Sequence, residues 1–254
     1  MRTNAIMSGI VLGAVAVGAR ASQAEQDSER KKAEWFVGAG AIVTSKPHTG
    51  VDAKVYAVPL FGYEGERLYL RGIIGGYRLL KGERWSFGPV LRPRLEGYDA
   101  DDSAALAGMS DRRASLDAGA EWSWLADWGL IGVTLVTDVL GQHHGQELEL
   151  SYTALFPYGG FEFIPSVALR WRSSNMVDYY YGVRPEEAMA GRPAYAADNT
   201  FTPLLRLMVR RKLSEKWSAL GAVQYEWFAS EITDSPIVED DYATSFMLGL
   251  TYTF

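Results

Sequence analysis

Apolar and polar residues alternate one for one through much of the chain, most clearly at its end. Phe246, Leu248, Leu250, Tyr252 and Phe254 share one face of an extended segment, and Ser245, Met247, Gly249, Thr251 and Thr253 share the other, because successive side chains of a strand point to opposite sides. From Phe161 to Arg172 the apolar face is Phe161, Phe163, Pro165, Val167, Leu169 and Trp171, set against Glu162, Ser166, Ala168, Arg170 and Arg172. Arg113–Trp124, Glu147–Phe156, Leu205–Lys212 and Trp217–Trp227 repeat the pattern. It is weaker over Trp35–Val43, Val55–Tyr63, Arg67–Leu79, Trp85–Glu96 and Gly129–Leu140.

Short turn signals at Lys81–Glu83, Ala126–Gly129, Pro157–Gly160 and Ser214–Lys216 alternate with longer polar stretches at Thr44–Lys54, Tyr98–Arg112, Ser173–Asn199 and Glu231–Ala243. Short turns at one end and long loops at the other are the signature of an outer-membrane barrel. A soluble sandwich would show the same period, with the apolar face turned inward. Three features favour the barrel: segments about 10 residues long, as a tilted spanning strand requires; aromatics gathered at the ends of the apolar faces (Trp122, Trp124, Trp171, Trp217, Trp227, Tyr252); and a chain that ends on an aromatic in its last strand. The expected fold is therefore an all-β antiparallel transmembrane barrel. The segments number an awkward eleven, whereas a bacterial barrel takes an even number. Twelve strands are expected, with ten as the alternative. The miscount falls within Thr44–Leu80, or Asp178–Gly182 adds a strand.

Composition sharpens this picture. Aromatic residues make up 13% of the 254 positions, cysteine is absent, and the formal net charge is −6. The missing cysteine excludes a disulfide scaffold and a thiolate metal site, and the acidic balance offers no field for nucleic acid. Arg2 followed by the apolar run Ala5–Gly18 reads as an export signal, too short to span a bilayer as a helix. Cleavage is expected after Ala24, with Ala19-Arg20-Ala21 as an alternative site. Residues 1–24 are then a signal peptide, 25–34 a charged periplasmic tail and 35–254 the barrel. Tyr252 and Phe254 are expected to form the C-terminal signal read by the barrel-assembly machinery, and the apolar faces to meet outer-membrane lipid.

Candidate chemistry is sparse. His48, His143 and His144 all fall in predicted loops, where solvated loop tips are the expectation, and Ser151 or Ser173 with His144 has no motif to connect it. The glycines of Gly72–Gly76 lack the strand–loop–helix setting of a phosphate loop and are expected to let strands approach or bend. No catalytic, cofactor or metal residue is assigned. The inward face carries the information: Arg71, Arg92, Arg94, Arg170, Arg172, Arg206 and Arg210 are expected to share the interior with Glu96, Asp117, Glu121, Glu147, Glu149, Glu162 and Glu226. Such charges either fill the lumen as cross-strand ladders or line a narrow polar pore.

Three stretches resemble the MipA/OmpV family: Tyr56-Ala57-Val58-Pro59 through Tyr63-Glu64-Gly65, with Leu70-Arg71-Gly72 and Gly75-Gly76-Tyr77; Asp178–Val183 running into Pro185–Ala188 and Tyr195; and Thr233–Val238 with Gly249–Phe254. The resemblance implies an outer-membrane barrel without enzymatic activity. In one branch of the family such a barrel is thought to bring a lytic murein transglycosylase together with a bifunctional penicillin-binding protein; other branches are associated with osmotic or antibiotic responses and with adhesion. A narrow porin-like channel is the alternative function, and an outer-membrane hydrolase a more distant one.

Overall fold

The computed structural model describes residues 33–254; the expected signal peptide, its expected cleavage after Ala24 and nearly all of the expected charged tail lie outside the described residues. Twelve antiparallel strands close into one barrel. They are β1 (Glu34–Thr44), β2 (Lys54–Glu64), β3 (Leu68–Arg71), β4 (Ile74–Tyr77, resuming at Leu80–Lys81), β5 (Trp85–Arg94), β6 (Ser115–Ala126), β7 (Gly129–Asp138), β8 (Gln146–Thr153, resuming at Phe156–Tyr158), β9 (Phe161–Arg172), β10 (Thr200–Lys212), β11 (Trp217–Trp227) and β12 (Tyr242–Thr253). Each pairs with its neighbours in sequence, and β1 closes the ring by pairing with β12 from Phe36↔Thr253 to Thr44↔Ser245. Closure leaves no free end strand, which a spanning sheet requires.

The miscount is resolved within Arg67–Leu79. This run is not one strand but the β3–β4 hairpin, turning at Gly72 (φ 61°). At Gly76 a side chain would collide with the Tyr69 ring, its Cβ only 2.2 Å from the phenol oxygen. The glycines thus make a tight hairpin. Asp178–Gly182 adds no strand; it closes helix α1 (Ser174–Tyr181).

Prolines mark the places where the ladder breaks. Pro165 gives β8 no N–H, and β8 is interrupted opposite it at Ala154–Leu155. In β4 an extra residue bulges between the Gly76↔Val90 and Leu80↔Phe87 pairs, opposite Pro89. A larger interruption follows from the shortness of the β3–β4 hairpin. β2 pairs with β3 only at Gly62, Tyr63 and Glu64, and β4 reaches β5 no higher than Leu91. Above the hairpin tip, neither Lys54–Leu60 nor Arg92–Arg94 has a strand partner on that side among the described residues. The Gly72 amide donates to Phe61 O, so odd-numbered residues of β2 turn their backbone toward this window. Gly82 N likewise donates to Trp85 O, which places the odd residues of β5 on the same side. Pro59 and Pro93 therefore stand where no N–H is required.

The outward face is an apolar belt, including Leu135, Leu150, Val167, Leu205 and Leu248, the last 72% exposed. Aromatic rings border it at both ends, as in barrels crossing a lipid layer. At the short-turn end Trp217 and Tyr252 lie 5.3 Å apart, and Tyr252 and Phe254 5.1 Å; at the loop end Tyr225 packs on Trp227 at 4.3 Å.

The interior is not uniformly polar, as simple alternation suggests. Ile42, Val58, Leu60, Ile164, Met208, Leu220 and Met247 pack there into one apolar cluster. Small residues make room for it: a Cβ on Gly249 would sit 2.4 Å from Leu60 Cδ1. No helix among the described residues is long and apolar enough to cross a membrane.

Candidate functional site

Above the apolar cluster, toward the long loops, the interior becomes ionic. Alternation sends every second side chain inward, and register sets opposite charges face to face: Arg172 opposite Glu147 and Arg170 opposite Glu149 on β9 and β8, and Arg92 opposite Asp117 on β5 and β6. Glu147 is the hub. It pairs with Arg92, with Arg94 at 3.0 Å, with Arg170 at 3.2 Å and with Arg172 at 3.5 Å. Arg94 also holds Asp117 at 2.7 Å. Glu226 takes Arg172 at 2.7 Å and Arg170 at 3.2 Å. Arg206 forks onto both oxygens of Glu149 at 2.9 and 3.0 Å, a bidentate geometry favoured by guanidinium. Asp117 and Glu147 keep 0% and 1% exposure, so their charges depend on these partners.

The remaining interior charges stand apart. Arg71 reaches Glu64 at 3.3 Å and Glu121 at 4.0 Å, and Arg78 also pairs with Glu64; Arg210 and Glu162, opposite each other on β10 and β9, meet at 2.5 Å nearer the turn end. The structure thus divides the expected charges into one large cluster and two smaller ones. Glu64 and Arg78 were missed, although the alternation of β2 points Glu64 inward.

The long loops cap the barrel. The stretches read as solvated loops fold over the mouth around two apolar cores: Val51, Tyr98, Leu106, Met109, Val183 and Ile237, and Met176, Val177, Tyr180, Tyr181, Ala197 and Ile232. The second gathers α1 and the short helix α2 (Ser230–Thr233). Arg112 ties the β5–β6 loop to the β9–β10 loop through Glu187, at 2.7 and 3.0 Å, and through Tyr179 O at 2.6 Å. Burial alone would raise the Glu187 carboxyl, but Arg112 and the amides of Ser110 and Arg184 outweigh it and hold it at about 2.

Two histidines depart from the solvated loop tips expected of them. His48 is 5% exposed, its ring 4.6 Å from Tyr98 and 5.6 Å from Tyr181; its Nε2 lies 3.1 Å from Tyr180 O, and burial lowers its pKa to about 4. His143, also buried, places Nε2 3.1 Å from Asp117 Oδ1 and accepts from Gly145 N at 3.0 Å through Nδ1. Only His144 is exposed, at a φ of 50°. Asp117, Asp138 and His143 bring ligand atoms within 4.8 Å of one another. Asp138 is already engaged by Ser115 and by the amides of Leu140, Gly141, His143 and His144. That is how a carboxylate caps a turn, and with Asp117 held by Arg94 the set fits a structural network better than a metal centre.

A closed twelve-strand antiparallel barrel with a lipid-facing belt, an ion-paired interior and a folded loop cap defines the class: an outer-membrane β-barrel protein. The family model described as "MltA-interacting protein MipA" matches residues 37–254, and the chain belongs to that family. It is 30% identical over 226 residues to the MltA-interacting protein of Escherichia coli strain K12, covering 87% of this chain and 90% of that one. It is 27% identical over 225 residues to outer membrane protein OmpV of Vibrio cholerae, covering 87% and 86%. Among solved structures, the NanC porin aligns with a TM-score of 0.46 at 9% identity, covering 85% of this chain and 98% of that one. The translocator domain of the autotransporter NalP from Neisseria meningitidis aligns with a TM-score of 0.46 at 11% identity, covering 94% of each chain. The protein resides in the Gram-negative outer membrane.

Proposed function

We propose that this barrel is a non-enzymatic scaffold that holds a lytic murein transglycosylase, and with it a penicillin-binding protein, at the inner surface of the outer membrane. One observation carries the reading: an apolar layer closes the lumen across its middle. Ile164, Met208 and Leu60 in the apolar cluster retain 0%, 1% and 2% exposure, and Arg172 and Glu147 above them 2% and 1%. Side chains lining a water path would keep accessible surface. The narrow-pore alternative needs a continuous polar path, and the apolar layer argues against it. The hydrolase alternative fares worse, because among the described residues no hydrogen bond joins the His144 ring to Ser151 or Ser173: Ser173 Oγ accepts from the Gln146 amide and Ser151 Oγ donates to Gly132 O. The name of the Escherichia coli relative supplies the partner. Contact would fall on the short turns, where Arg84, Asp127 and Trp128 are exposed, and on the charged tail; Tyr252 and Phe254 would serve insertion rather than contact.

The test is binding of a purified lytic murein transglycosylase to the barrel in lipid nanodiscs. Saturable binding is expected, weakened at least ~10-fold when Arg84, Asp127 and Trp128 are replaced together by Ala. A folded barrel that fails to bind the transglycosylase overturns the proposal.

A further inference from the structure

Beneath the cap, between the loop-end charges and α1, lies a cavity of about 80 Å³, large enough for a few water-sized groups. Four buried side-chain atoms on its lining residues have no hydrogen-bond partner: His48 Nδ1, Glu96 Oε2, Arg172 Nη1 and Tyr180 OH. The other three such atoms among the described residues, on Tyr56, Tyr69 and Arg78, belong to β2–β4 and to the bulge of β4. Orphaned polar atoms are uncommon in folded proteins, and four around one cavity are a pattern with chemical content. His48 has Nε2 directed at a carbonyl, so Nε2 carries the proton and Nδ1 is an acceptor. Glu96 Oε2 is an acceptor too. Arg172 Nη1 is a donor, and Tyr180 OH can donate or accept.

The charge around the cavity adds a second constraint. Lys46, Arg92, Arg94, Arg170 and Arg172 line the cavity together with Glu96 and Glu226, and Asp99, Asp102 and Lys54 act on Lys46 from farther off. Each arginine has an ion-pair partner. Lys46 does not: only 8% exposed, it donates to Gly97 O at 3.0 Å. Its pKa falls to about 8, chiefly through burial. A buried cation whose nearby carboxylates, Glu96, Asp99 and Asp102, form no ion pair with it is costly, and a bound anion would relieve it.

We propose that this cavity binds a small α-hydroxycarboxylate of two or three carbons. The carboxylate accepts from Arg172 Nη1 and Lys46, and the hydroxyl donates to Glu96 Oε2 or His48 Nδ1 and accepts from Tyr180. A simple carboxylate satisfies the donors and leaves both acceptors unmet. A zwitterionic amino acid satisfies both and brings no net charge to offset Lys46. The site is independent of the scaffold reading.

The test refolds the barrel with and without glycolate and measures the urea midpoint of unfolding. A ligand that binds only the folded state raises that midpoint. The expected result is a rise that saturates with glycolate, with affinity at least ~10-fold weaker for acetate and for glycine. The rise should be lost in Lys46→Met and Glu96→Gln, each shown to fold by the heat-dependent gel shift of a closed barrel. An unchanged midpoint with glycolate overturns the proposal, as does an equal effect of acetate or glycine, or a shift that survives both substitutions.

Discussion

At the scale of single residues, the interior rests on Glu147, a carboxylate with almost no exposure shared by four arginines. Replacing it with Gln strands several guanidinium groups and should cost about 3–5 kcal/mol, read as a lowered urea midpoint of the refolded barrel. Glu162→Gln removes a pair whose side chains keep 23% and 29% exposure and should cost under about 1 kcal/mol; equal losses would show that Glu147 is no hub. His48 carries a pH prediction. Its pKa is about 4 in the folded cap against an ordinary 6.5, so the unfolded loop binds more protons between those values. Cap stability is therefore full above pH ~6.5 and falls as pH drops toward 4. Glu187, near 2 in the cap against an ordinary 4.5, weakens the cap only below about pH 5, so the comparison is read between about pH 6.5 and 5. Limited proteolysis of the loops should accelerate across this range in the wild type and be flat in His48→Gln; a wild-type rate independent of pH would refute the assignment. Period two alone sets the expectation of inward charges, and cross-strand register then pairs Arg170 with Glu149 and Arg172 with Glu147; Glu64 and Arg78 were not among those expected. The buried histidines were not legible: His48 and His143 are covered by α1, a contact between segments far apart in sequence that no local pattern encodes.

At the scale of elements, alternation located the strands, and the turn residues located most of the short connections. The β3–β4 hairpin escaped because Leu68–Tyr77 is an apolar, glycine-rich run whose two-residue turn carries none of the usual polar markers. The cap escaped for a different reason: polar composition reads as solvated loop, yet Tyr98, Leu106, Met176, Ile232 and Ile237 are scattered through it one at a time and meet only when the barrel mouth brings four loops together. The window above the hairpin makes its own prediction. Val55 and Ala57 direct their amides into it, whereas Tyr56 and Val58 pair with β1. Hydrogen exchange in detergent should be on the order of a hundredfold faster at Val55 and Ala57 than at their neighbours. Equal protection would mean that the ladder continues across the gap.

At the scale of the molecule, three layers oppose passage: an apolar cluster, an ion-paired lattice and a loop cap with its own cores. The outward apolar belt fixes the protein in lipid, and the apolar layer across the lumen leaves the two ends of the barrel, on either side of that layer, as the places where it can act on other molecules. The most direct test of this account is single-channel recording of the refolded barrel in a planar bilayer, alongside a variant with Arg92, Arg94 and Arg210 replaced by Ala. The account predicts a wild-type barrel that inserts, shows the heat-dependent gel shift and carries no current. Reproducible conductance steps whose size or ion selectivity changes in the variant would contradict it, because they would place an open polar path through the layers described here as closed.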